Sequence, residues 1–256
     1  MFDRIDQGIY WDRAWTLISG CTPCSPGCTH CWALGMEKRF TKCYDGIYEG
    51  RIRIHPERLE IPLKRKKPIV WAIWNDLFHE DIPQTFIDGA WDIMRRADKH
   101  IFLILTKRIK RAEEFCRFKQ AYSNIWPGVT VCNQEEADEK IPLLRRISAT
   151  VRFISGEPLL EQTDLCLSPG FEISAPYGNR GIHWVIAGGE TGPRARPMHP
   201  EWVRSVRDQC QAAGVPFFFK RHGSWNERYY KASRFDPTNS GRLMDGREYN
   251  ELPEIK

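Results

Sequence analysis

The sequence predicts an α/β fold, a full or partial (β/α) barrel of about six to seven parallel strands. Two observations carry this. Short runs rich in β-branched and aromatic residues recur along the chain. Several are nearly continuous apolar stretches, the pattern of strands buried on both faces of a parallel sheet. Amphipathic stretches of helical period lie between them, which is the βα alternation. A doubly wound open sheet is the alternative reading of the same alternation.

The first run covers residues 15–19 and the second 68–74, including Ile69, Val70, Trp71 and Ile73. Residues 83–97 then place Phe86, Ile87, Ala90, Ile93, Met94 and Ala97 on one stripe, the mark of a helix with one buried face. The third run is 101–105, followed by a basic amphipathic helix over 107–119. The fourth is 128–131 with a helix over 135–147, and the fifth is 151–155. The sixth is 183–187. A helix over 199–213 follows, with Pro200 suited to the first turn and Gly214 to the stop. The seventh run is 215–219. From Gly223 the chain turns polar and aromatic (Trp225, Tyr229, Tyr230, Tyr249) and reads as an appended extension. The expected organisation is a barrel over 1–222 with an extension, 223–256, packed on it.

Composition excludes several classes. The 256 residues are 41% hydrophobic and 28% charged, so the chain has a globular composition and is not expected to be disordered. No apolar run approaches about 18 residues, so no membrane span is expected. The first six residues carry Asp3 and Asp6 and no apolar core of a secretory signal, which predicts a cytoplasmic protein. The net charge of +5 permits a phosphate or nucleic-acid partner without demanding one.

Of nine cysteines, Cys21, Cys24, Cys28 and Cys31 fall within eleven residues just past the first strand. They parse as C-x3-C-x2-C from Cys24, as C-x6-C-x2-C from Cys21, or as C-x2-C-x3-C-x2-C. Thiolates favour zinc or iron–sulfur. Structural zinc usually draws its ligands from two knuckles a dozen or more residues apart, and three intervening residues make a tight loop for one tetrahedral ion. Three cysteines on one loop suit a [4Fe–4S] cluster with one iron left open. That open iron is the requirement of radical S-adenosyl-L-methionine (SAM) chemistry, where it chelates the amino and carboxylate groups of SAM.

C-x3-C-x2-C is the signature of the radical SAM superfamily, which places it after the first strand of a (β/α) barrel of the TIM-barrel kind. Residues 15–21 followed by Ser25-Pro26-Gly27-Cys28-Thr29-His30-Cys31-Trp32 also resemble the opening of an uncharacterised, radical-SAM-like family of bacteriophages and prophages known for a three-cysteine motif. Further segments resemble it at 76–80, 105–108, 153–160, 188–199, 209–220 and 243–247, which covers nearly the whole chain. That family's three cysteines match Cys21, Cys28 and Cys31, with Cys24 where it commonly has an aliphatic residue. The superfamily motif instead favours Cys24. The first ligand stays open between Cys21 and Cys24.

The resemblance implies a bacterial-host or phage-encoded intracellular enzyme. It would use a [4Fe–4S] cluster and SAM, fed by an external electron donor, to abstract hydrogen from a substrate at the barrel mouth. His30 falls where the superfamily often has an aromatic contact to the adenine. Asn75 or Asp76, after the second strand, are expected to hold the SAM amino group. Glu157 and Glu190 are candidates for ribose, amino-group or substrate contacts, or else for salt bridges with neighbouring Arg or Lys. Lys107, Arg108, Lys220 and Arg221, with Arg194 and Arg196, also end strands, the active-site face of a β/α barrel. Lys107, Arg108, Lys220 and Arg221 are the catalytic candidates, and a basic mouth would suit a phosphate-bearing substrate. The substrate expected is a nucleotide or a nucleic-acid base, for modification or repair, and a duplex base would need extrusion. Trp74 and Trp225 are candidates for stacking on a base, His79 and His222 read as structural, and residues 64–67 (Lys-Arg-Lys-Lys) read as a solvated loop. Two alternatives stay open. One is a non-catalytic nucleic-acid-binding protein stabilised by zinc or an inert iron–sulfur cluster. The other is a subunit whose site a partner protein completes.

Overall fold

The computed structural model describes residues 1–31, 52–167, 181–192, 194–224 and 241–254. Its centre is a seven-stranded parallel sheet of β1 (Arg13–Trp15), β4 (Val70–Ile73), β5 (Ile101–Thr106), β6 (Ile125–Thr130), β7 (Phe153–Gly156), β8 (Trp184–Gly188) and β9 (Phe217–Arg221). These strands lie side by side in chain order. A doubly wound sheet needs a point where the order reverses, so that alternative is excluded. The strands do not close: β1 and β9 stand at opposite ends of the ladder, and the sheet curls into a half-barrel. The two ends approach across the interior through Tyr10, just before β1, whose ring meets Trp184 of β8 at 5.6 Å and Phe218 of β9 at 5.7 Å.

The expected first strand, 15–19, divides. β1 ends at Trp15, and Ile18–Ser19 turn away as β2, antiparallel to β3 (Arg53–Ile54). The Leu17 carbonyl accepts from His55 N (2.9 Å), and the Ser19 hydroxyl meets His55 Nε2 at 2.8 Å. A continuous apolar run cannot reveal this split, because both halves are buried.

Strand alternation sorts the core into two layers. One set, with Val70, Ile101, Leu103, Trp126, Phe153, Trp184, Ile186 and Phe218, packs inside the half-barrel with Phe2 and Tyr10. The other, with Trp71, Ile73, Phe102, Ile104, Val129, Ile154, Val185 and Phe219, meets the helices α1 (Gln84–Arg96), α2 (Ile109–Cys116), α3 (Gln134–Arg146) and α4 (Pro200–Ala213). Gly128 on β6 is needed for the inner layer, since a Cβ there would lie 2.3 Å from the Phe153 ring. The helices carry their expected punctuation. Asn133 caps α3 by accepting from Glu136 N, Pro200 opens α4, and Gly214, with φ of 65°, ends it.

The described part of the C-terminal segment, 241–254, edges the sheet. Tyr249 O accepts from Phe219 N (2.9 Å), and Glu251 N donates to Phe217 O (3.2 Å). Arg242 reaches the Ile5 carbonyl and joins the tail to the N-terminal plug. No helix among the described residues is long and apolar enough to cross a membrane.

Candidate functional site at the mouth of the half-barrel

The C-terminal strand ends surround a cavity of about 480 Å³, within the size range of small-molecule sites. The cysteine loop forms one wall. Cys21, Cys28 and Cys31 line the cavity, whereas Cys24 does not line it and is exposed. The loop is built on a short helical turn, Pro26–Cys28, capped by the Ser25 hydroxyl accepting from Gly27 N. Gly27 sits against Cys132 of the β6–α3 loop, where a Cβ would lie 2.5 Å from the Cys132 Sγ. Cys132 is fully buried, and burial raises its thiol to about 12. The Cys24 thiol donates to Cys28, which lowers Cys28 to about 5 and raises Cys24. All four loop cysteines are free thiols, and among the described residues no three His, Cys, Asp or Glu side chains converge to hold a single metal ion.

Arg108, expected as a catalytic candidate, is buried and holds the loop. Its Nη2 donates to Thr22 O and Oγ1, both at 2.9 Å, its Nη1 reaches Cys21 Sγ at 3.9 Å, and its Nε donates to Glu80 at 2.8 Å. Asp76 is the counter-ion, at 3.3 Å. Its carboxylate also accepts from Phe78 N (3.0 Å), Thr106 Oγ1 (2.6 Å) and Lys107 N (3.0 Å). Those four bonds occupy the lone-pair sites a carboxylate offers, so Asp76 ties β4 to β5 and has no acceptor left for an amino group. Its neighbour Asn75 lines the cavity with φ of 61° and donates to Ile18 O at 2.7 Å. His79 is structural. Its Nδ1 accepts from Asp81 N, so the neutral ring carries its proton on Nε2 and donates to Thr22 Oγ1 at 2.7 Å.

Lys107 also lines the cavity. Burial works against its ammonium, but the surrounding Cys28 and Asp76 charges outweigh it and raise its pKa. The opposite wall is held by ion pairs. Glu190 accepts from Arg196 at 2.6 Å and meets His30 Nδ1 at 3.1 Å; burial opposes its charge, and the Arg196 bonds prevail and lower its pKa. Arg196 also donates to Pro26 O, so this pair braces the cysteine loop from the far side. Glu157 pairs with Lys220 at 2.6 Å. Glu157 and Glu190 therefore both stand in salt bridges. Arg221 lines the mouth and Arg194 is exposed. Trp74 is at the cavity beside Trp11. His222 is buried against Leu243 O, and residues 64–67 are exposed ahead of β4, at the opposite end of the sheet. Trp32 and Trp225 lie outside the described residues.

A family model described as a protein of unknown function (DUF5131) matches residues 6–253. The chain belongs to the DUF5131 family. No curated protein and no solved structure matches it.

Three cavity residues of this DUF5131 protein escape motif reading. Tyr10 sits on the N-terminal plug, and nothing local in the sequence points it inward. Thr130 and Ser155 are paired across β6 and β7 and are buried at 1% and 0% exposure. Among the described residues neither hydroxyl makes a well-formed hydrogen bond. The available signal was parity: each falls on the inward register of Trp126 and Phe153, in strands otherwise apolar.

Proposed function

We propose that this DUF5131 protein is a radical SAM enzyme whose cluster ligands are Cys21, Cys28 and Cys31. The observation that carries the reading is that these three thiols, and not Cys24, line one cavity at the C-terminal mouth of a parallel half-barrel. The donor set fits a [4Fe–4S] group. Three thiols that would serve as soft thiolate ligands line one wall, and the half-buried Lys107 ammonium, favoured by Cys28 and Cys31, would complement an anionic sulfur centre. Such a cluster supplies the electron that cleaves SAM. The chain's own residues supply placement. Arg108 and Arg196 clamp the loop from two sides, and Lys107 balances its charge. Asn75 and the Glu157–Lys220 pair present polar groups to the SAM head group or ribose, and His30, fixed by Glu190, flanks them. Tyr10 and Phe2 close the inner end against water.

The test is anaerobic purification and reconstitution with iron and sulfide, then addition of dithionite and SAM. The expected result is about four irons per chain and 5′-deoxyadenosine by mass spectrometry. Cys24→Ala retains the cluster, while Cys21→Ala, Cys28→Ala and Cys31→Ala each lose it. One zinc without sulfide, or loss in Cys24→Ala with retention in Cys21→Ala, overturns the assignment.

A further inference from the structure

We propose that the inner end of the cavity binds an uncharged heteroaromatic ring, a nucleobase presented as a nucleoside or nucleotide, with Thr130 and Ser155 on its hydrogen-bonding edge. This rests on reading the cavity as the place where substrate meets the cysteine loop, and it names that substrate's class.

Thr130 and Ser155 are direct partners in the β6–β7 ladder, so their side chains stand next to each other on one face. Both hydroxyls are buried, and both residues line the cavity. Among the described residues the Thr130 hydroxyl has no partner, and the Ser155 hydroxyl has only the Tyr10 phenol within interaction range, with no well-formed hydrogen bond. A buried unpaired hydroxyl is costly, and such groups are normally satisfied. Two side by side at a cavity floor call for a ligand edge that offers both donors and acceptors. The Tyr10 phenol is the third group, within interaction range of Ser155. Burial and the Glu157 carboxylate hold it protonated, so it is a donor. Around these groups the lining is Ala72, Leu103, Leu105 and Phe153, with Trp11 and Trp74 further out. Aliphatic and aromatic walls with a few polar atoms at one edge fit a flat base. A free sugar would leave its many hydroxyls against leucine. A charged group is equally unsuited beside Tyr10, because Lys220, the cation over the Tyr10 ring, is neutralised by Glu157. Arg221 stands nearer the mouth, where the sugar and any phosphate would emerge.

The experiment uses the full-length protein, purified without oxygen, and titrates adenosine, guanosine, cytidine, uridine and thymidine by calorimetry, with and without saturating SAM. The expected result is that at least one nucleoside binds, still binds with SAM present, and loses about five- to tenfold in affinity in Thr130→Val and again in Ser155→Ala. No nucleoside binding, or affinity unchanged in both variants, overturns the proposal. So does displacement by SAM together with weaker SAM binding in the same variants, since the hydroxyl pair would then serve the cofactor. Melting temperature shows that the variants are folded. Iron and sulfide counts on the same samples report on the cluster separately, so a failed substrate assignment and a failed cluster assignment are distinguishable.

Discussion

Gly27→Ala probes the contact that seats the cysteine loop on the half-barrel. Position 27 has no left-handed backbone requirement, so alanine is excluded only by space. The added Cβ would lie 2.5 Å from Cys132 Sγ and 3.3 Å from Pro158 Cδ. Non-bonded heavy atoms settle near 3.5–4.0 Å, so the deficit at sulfur is about 1 Å. Cys132 is fully buried, and its backbone N donates to Glu136 at 2.8 Å, so it has little room to retreat. Overpacking of this kind costs about 1–3 kcal/mol, and each kcal/mol lowers Tm by roughly 2–4 °C in a chain of this size. Cys132→Ala removes the clashing atom and by itself costs about 0.8 kcal/mol of lost burial. The double variant is therefore expected to be more stable than the sum of the two single losses, with a favourable coupling of about 0.5–3 kcal/mol. Equilibrium urea unfolding of the four proteins measures this. Additive losses, or no loss in Gly27→Ala alone, would refute the packing of the loop on Cys132. Under the proposed function, iron incorporation drops in Gly27→Ala and recovers in the double variant.

Arg108→Gln leaves Asp76 as a buried charge without its cation and is expected to cost about 3–5 kcal/mol in urea unfolding; a loss under about 1 kcal/mol would contradict the buried network. Thr130→Val removes an unpaired buried hydroxyl at nearly constant shape, and the free protein should gain about 1–2 kcal/mol; a clear loss would mean the hydroxyl is satisfied after all. His183 is lowered to about 4, first by burial and then by Arg152, while its Nδ1 accepts from Arg152 N. The folded protein thus binds fewer protons than the unfolded chain between about pH 4 and the ordinary histidine value near 6.5. Stability falls as pH drops through that window. His183→Asn keeps an acceptor for Arg152 N and should reduce the slope of unfolding free energy against pH there, whereas identical slopes would refute the assignment.

The fold class was legible because burial on both faces of a parallel strand forces an apolar run, and a helix packed on one side forces a stripe. Runs such as 101–105 and 183–187 carry that constraint in a few adjacent residues, and their order along the chain became the order of the sheet. The boundary between β1 and β2 was not legible, because the turn at Thr16 separates buried Trp15 from buried Ile18 and Ser19, and the partners β4 and β3 lie more than thirty residues away. That the sheet stays an open half-barrel was equally hidden, since its interior is filled by Phe2 and Tyr10, which pack on Trp126, Trp184 and Phe218 from distant strands.

The site divides in the same way. Spacing alone marked Cys21, Cys24, Cys28 and Cys31 as one loop, because chain connectivity keeps eleven residues together whatever the rest does. Which of them share a wall depends on the turn at Pro26–Cys28 and on Arg108, Arg196 and Cys132 pressing on it from three other strand ends. The charges at strand ends were likewise visible, but their pairing was not. Arg108 and Asp76 are charged residues of a βα loop in the sequence; in the fold they are a buried pair with every bond used. Thr130 and Ser155 carry no motif, and only the register of β6 on β7 sets their hydroxyls side by side. The sequence by itself determined the alternation of elements and the chemistry of the cysteine loop, because both are local. The tertiary structure decided which polar groups are consumed by the protein and which face the cavity, because hydrogen bonds are satisfied between segments distant along the chain.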